Sequence, residues 1–113
     1  MDFFTLGLSF ILLHELDAIR CHEWRMFPLT SFLPERTGMI VFLYLHIPLF
    51  YWILLPSTLN DPTFKYGFSI FLIVHCFLHI GFLWHKKNEF KDWISWSLII
   101  LAALCGMLHL LDL

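Results

Sequence analysis

Charge is what this chain has least of. Only 14% of its 113 residues are Asp, Glu, Lys or Arg, against roughly 25% in an average soluble domain. That deficit places the chain in the membrane class rather than among free-standing soluble folds. No block of basic residues occurs and the formal net charge is −2, so nothing suggests a nucleic-acid partner. Cysteine is scarce and odd in number: Cys21, Cys76 and Cys105 form no CxxC, which signals neither a disulfide framework nor a redox pair. They read as small buried apolar residues. The opening MDFFTLGLSF lacks a positive region and a small-residue cleavage site, so it is expected to remain as a helix rather than act as a signal peptide. The zinc-protease motif HExxH is missing too, and with it that particular mechanism. There is no internal repeat and no low-complexity tract.

What is abundant is apolar and aromatic. Hydrophobic residues make up 59% and aromatic residues 19%, including 13 Phe and 5 Trp. A span of ~30 Å of hydrocarbon needs ~20 residues, so the length allows one domain with about four spans. Apolar runs cut by prolines and turn formers predict helices over residues 3–25, 39–55, 66–84 and 93–111. Pro48 falls inside the second, a kink that membrane helices tolerate. The expected fold is an all-α integral membrane four-helix bundle running up-down-up-down. Cations set the orientation: of 7 Lys and Arg, Arg20, Arg25 and Arg36 lie in or near the first connection and Lys86, Lys87 and Lys91 in the third. Lys65 alone belongs to the middle loop. Both termini are therefore expected on the non-cytoplasmic side of a plasma membrane. Trp24, Trp84, Trp93 and Trp96 would form the cytoplasmic aromatic belt, and Tyr51 and Trp52 the outer one.

Against this background the segment HELDAIRCHEW, residues 14–24, stands out. It carries two His-Glu pairs, an aspartate and an arginine at the end of an apolar run. Ionisable groups carried toward hydrocarbon are expensive and usually functional. A rise of ~1.5 Å per residue puts His14, His46, His75 and His79 in one layer between mid-membrane and the cytoplasmic leaflet. At ~100° per residue His14, Ala18, Cys21 and Arg25 share a stripe. Glu15 and His22 flank it on one side and Asp17 on the other, while Glu23 falls on the opposite face, within reach of water. His75 and His79 are i and i+4, a common geometry for two ligands on one metal.

Imidazole with carboxylate suits zinc or iron. The expected ligands are His75 and His79, then His14 and His46, with His22 on the flank of the same set. Glu15 and Asp17 are the candidate catalytic groups, Glu15 as ligand or base. Arg25 would hold an anionic head group. The expected activity is that of a membrane-embedded metalloenzyme, a hydrolase or a di-iron-type oxidoreductase. Its substrate would be a lipid, isoprenoid or quinone-like molecule reaching the core from between the helices. Other classes use the same residues: a haem-binding electron carrier, a metal or proton relay, or a structural subunit of a membrane complex, with homo-oligomerisation open. His85 and His109 read as solvated and interfacial, and the Ala102–Gly106 stripe as close helix packing.

The segment HELDAIRCHEWRMFPL resembles the opening of an uncharacterised family of small bacterial four-helix membrane proteins with an HE-x-D-A…HEWR signature. His14, Glu15, Asp17, Ala18, His22, Glu23, Trp24 and Arg25 match it, and His46, His75 and His79 match later positions. The resemblance implies the architecture and supplies no reaction.

Overall fold

In a computed structural model, which describes residues 1–112, the chain is all-α with no strand among the described residues. Five α-helices follow one another: α1 (Phe3–Arg20), α2 (Glu35–Leu54), α3 (Pro56–Leu59), α4 (Pro62–Phe82) and α5 (Trp93–Leu111), with a 3-10 turn over Glu23–Arg25 between the first two. Aspartates start α1, α4 and α5. Asp2, Asp61 and Asp92 each accept a backbone N–H from the first turn, at 3.0 Å in every case, which satisfies a donor the helix leaves free. α2 runs unbroken through Pro48. The loop after Pro56 is not wholly irregular, because proline at the first helical position opens the single turn of α3.

The first helix stops five residues short of the expected Arg25. Cys21 ends it by donating to Asp17 O at 2.9 Å, and His22 takes the left-handed conformation at φ 53°, ψ 47°. A left-handed residue just past the last turn is a common helix stop. Glycine usually fills it, and histidine is among the side chains that tolerate it better than most. The apolar periodicity continues past this point, so nothing in the pattern reveals the break.

Three helices, α2, α4 and α5, are long and apolar enough to cross a membrane. α1 has 18 residues but carries Glu15, Asp17 and Arg20 in its last two turns. Within the apolar stretches of α2, α4 and α5 only 17%, 28% and 33% of residues are buried in the chain itself. An apolar surface that extensive requires hydrocarbon or a partner around it.

The trunk is α1, α4 and α5, packed closely through small residues. A Cβ at Gly106 would stand 2.6 Å from Ser69 O, and one at Gly7 would meet Leu72 Cδ1 at 2.9 Å. The Ala102–Gly106 stripe therefore brings the α5 backbone onto α4. One apolar cluster gathers Phe4, Leu8, Ile11, Phe68 and Leu72 toward the start of α1. A second gathers Ala18, Trp24, Phe42, Phe90 and Ile99 toward its end. The polar layer lies between them. α2 makes no close backbone approach to the trunk helices and meets the rest at the 3-10 turn and α3.

Candidate metal centre

Three histidines converge between the two apolar clusters. His14, half-way between Ile11 and Ala18 on α1, is fully buried; His79 and His75 on α4 are 1% and 9% exposed. Their rings meet edge to face, with centroids 4.6 Å apart for His14–His75, 4.9 Å for His14–His79 and 4.6 Å for His75–His79. The i, i+4 spacing on α4 turns two rings to one side, and α1 brings the third against them.

Five nitrogens of these rings find no hydrogen-bond partner: both of His14, both of His79, and Nδ1 of His75. A buried polar atom left unpaired costs about 1–3 kcal/mol, so a native core seldom keeps several in one place. The fourth group is Glu23. Its Oε1 lies 3.3 Å from His79 Nε2, off the line a hydrogen bond needs. One donor atom from each of His14, Glu23, His75 and His79 lies within 4.8 Å of every other. Neighbouring donors on a tetrahedral zinc sit about 3.4 Å apart, given Zn–N distances of ~2.0–2.1 Å, so an ion would draw the four donors closer together. Neutral imidazoles and one carboxylate match the donor preference of zinc or ferrous iron. By donor type, burial and convergence, these four residues fit a divalent ion.

Phenylalanine walls the trio. Phe90, 1% exposed, lies 5.4 Å from the His14 ring and 4.6 Å from that of His79. Phe82 stands edge-on to His79 at 5.5 Å, and Phe71 covers His75 at 5.6 Å. Phe90 comes from the polar connection before α5, held by its own N–H donating to Asn88 Oδ1 and by Trp96 Nε1 donating to its carbonyl, 3.1 and 2.8 Å. Nothing in the segment HKKNEFKD marks that one residue as a core plug.

The other expected site residues lie elsewhere. His46 does not join the trio; its Nε2 is 2.6 Å from Glu15 Oε2 and its Nδ1 is 2.7 Å from Phe42 O. Glu15 thus faces α2. Asp17 accepts from Ser95 Oγ and from Arg20 Nε, both at 2.6 Å, and joins α1 to α5. Arg20 continues this clamp to Asp92 at 3.1 and 3.3 Å. Beside that guanidinium, and with the Ser95 N–H, the Asp92 carboxyl is pulled down to about 2. His22 faces outward to Glu89, Nδ1 to Oε2 2.8 Å. Arg25 spends its donors on Glu35, at 2.8–3.2 Å, and on Glu89 at 3.3 Å, which leaves its guanidinium already committed to carboxylates. The hydrogen bond to Glu35 raises its pKa further.

Glu23 lies on the opposite side from the one its helical phase predicts. On a helix extending to Arg25 it would point away from His14, toward water. The left-handed turn at His22 swings it inward instead, to 13% side-chain exposure. The repeated His-Glu pair was the available signal, but it does not tell which glutamate turns in.

No curated protein and no solved structure matches the chain. A family of unknown function, DUF6713, matches it over residues 1–113, and the chain belongs to that family.

Proposed function

We propose that the protein is a membrane-embedded metal-dependent enzyme, a hydrolase or a di-iron-type oxidoreductase, acting on a lipid, isoprenoid or quinone-like substrate. In this reading α1, α2, α4 and α5 form a four-helix transmembrane bundle, up-down-up-down, in a bacterial plasma membrane. α1 is the fourth span, and its charges are tolerated because they pair inside the bundle. The HE-x-D-A…HEWR segment is the part of the family that builds the site.

One observation carries this reading: five partnerless imidazole nitrogens on three buried rings, with a carboxylate among them. His14, His75, His79 and Glu23 would hold the ion. When bound, zinc supplies Lewis acidity and an activated water, and iron supplies redox chemistry. The chain's own residues do the rest. Phe71, Phe82 and Phe90 keep the trio dry, which strengthens every electrostatic interaction inside. Glu23 supplies the negative charge that offsets a cation. Glu15, next in sequence to His14, holds a hydrogen bond with His46 on the lipid side and is the group placed to manage a proton. A haem would need a slot between two rings, and these three touch one another edge to face.

Elemental analysis and an optical spectrum on protein purified without a His-tag test the proposal. About one zinc per chain is expected for a hydrolase and about two irons for a di-iron oxidoreductase, lost in His14→Ala, His75→Ala and His79→Ala and kept in His85→Ala and His109→Ala. Equal metal content in all five variants refutes it, and a Soret band would give the site to haem.

A further inference from the structure

Two apolar cavities run along the seam between α1 and α2. One, about 350 Å³, is bounded also by α4 and ends near Trp52; the other, about 440 Å³, lies lower between α1 and α2. Leu12, Glu15 and Phe50 wall both, so the two adjoin as neighbouring parts of the groove along this seam. Glu15 walls both cavities and its partner His46 lines the second, and the pair is the ionisable chemistry of an otherwise hydrocarbon wall. Neither residue is one of the four clustered donors His14, Glu23, His75 and His79.

The hydrogen bonds of this pair decide what it can recognise. Phe42 O can only accept, so His46 Nδ1, 2.7 Å away, carries a hydrogen and donates. His46 Nε2 and Glu15 Oε2 are 2.6 Å apart, so a proton lies between them; otherwise two lone pairs would face each other. If it sits on Nε2, Glu15 is a carboxylate and its other oxygen, Oε1, accepts. If it sits on Oε2, Oε1 is the carbonyl oxygen of a carboxylic acid and again accepts. Either way the pair is neutral, as an apolar wall demands, and Oε1 is an acceptor without a hydrogen-bond partner among the described residues. A ligand that satisfies it must bring a donor. A carbonyl or an ester offers acceptors only and leaves Oε1 unpaired, and an anionic head would face the oxygen with like polarity.

We propose that this groove binds a long-chain lipid alcohol, its hydroxyl donating to Glu15 Oε1 and its chain lying along α1 and α2. The inference rests on the membrane-embedded reading and narrows its lipid ligand to an alcohol, the substrate of an oxidoreductase or the product of a hydrolase, but it does not need the metal.

The test uses the full chain in detergent micelles, with a long-chain alcohol and its methyl ether as probes, read by native mass spectrometry. The two share a chain and differ in one donor. One hydrogen bond in a dry site corresponds to about a tenfold preference for the alcohol. Glu15→Met, which removes the acceptor and keeps the volume, brings the ratio to one. Glu15→Gln keeps the preference, since its amide N–H faces His46 and its carbonyl faces the groove. Equal uptake of both probes by the wild type, a preference surviving in Glu15→Met, or its loss in a folded Glu15→Gln would each overturn the proposal. Metal content measured on the same samples separates the two readings. Intact metal with no alcohol preference removes only the groove, and a retained preference without metal removes only the metal centre.

Discussion

Replacing His14 by leucine should change the sign of its effect with the metal supply. Without an ion, both His14 nitrogens lie fully buried with no partner. At about 1–3 kcal/mol for each unpaired group, the wild type carries a penalty that His14→Leu removes at nearly constant volume. Part is given back, because the edge contacts to His75 and the tilted face on Phe90 are lost with the ring. A net gain of about 2 kcal/mol corresponds to a midpoint roughly 8 °C higher for a chain of this size. With zinc at a hundred times its dissociation constant, the wild type gains about 2.7 kcal/mol by mass action. The variant, left with two imidazoles and a carboxylate, gains little. The order of stability therefore reverses: variant above wild type in chelator, wild type above variant in zinc. Thermal unfolding followed by circular dichroism in a mild detergent, with and without metal, reads both arms. A variant less stable than wild type in chelator, or a wild type unmoved by zinc and by ferrous iron, would refute the reasoning.

Two further outcomes follow from the packing and the charge pairs. Gly106→Ala drives a Cβ to 2.6 Å from the Ser69 carbonyl and should destabilise by about 1–3 kcal/mol; Gly81→Ala, with nothing within 4 Å, should stabilise by about 0.5–1 kcal/mol, and denaturant titration of the two variants checks the opposite signs. Asp92, held at about 2 chiefly by the Arg20 hydrogen bond, adds stability that is fully present above its unfolded value of ~3.9 and disappears as pH falls from there to about 2. Asp92→Asn keeps a capping side chain and loses the charge, so its deficit against wild type at pH 5 should close by pH 2; a gap that stays constant would disprove the linkage.

The long helices and the facing of His75 with His79 are legible in the sequence for the same reason. Both depend on local periodicity, which apolar runs, prolines and the i, i+4 spacing of His75 and His79 express directly. A shared depth predicts that His14 and His46 meet, but the azimuth between helices is not written in the sequence. His46 faces Glu15 across a seam, because the rotation of α2 about its axis depends on the packing of its buried Gly38, Phe42 and Ile53. Glu23 and Phe90 escape for a different reason. Each reaches the site through an irregular backbone, a left-handed residue in one case and an Asn-stabilised turn in the other, and neither leaves a periodic trace. Asp17 shows the limit of composition. It has the right chemistry at the right depth, but Ser95 and Arg20, far apart in sequence, fix it as a clamp between α1 and α5.

α2 is seated at both ends and lightly supported along its length. Near its start Gly38 lies against Thr30 and Trp24, with Phe42 against Trp24 and Phe27. Near its finish Ile53 enters the first apolar cluster and Trp52 stands edge-on to Phe64 at 5.2 Å. A beam anchored this way deflects most at mid-span, and His46 is close to that point. If α2 spans a bilayer as proposed, thickening or thinning of that bilayer would load such a beam at its ends. In the proposed membrane-embedded state, the 2.6 Å rung between His46 and Glu15 would then feel such a load, whereas the histidine trio sits on α1 and α4, which pack closely with α5.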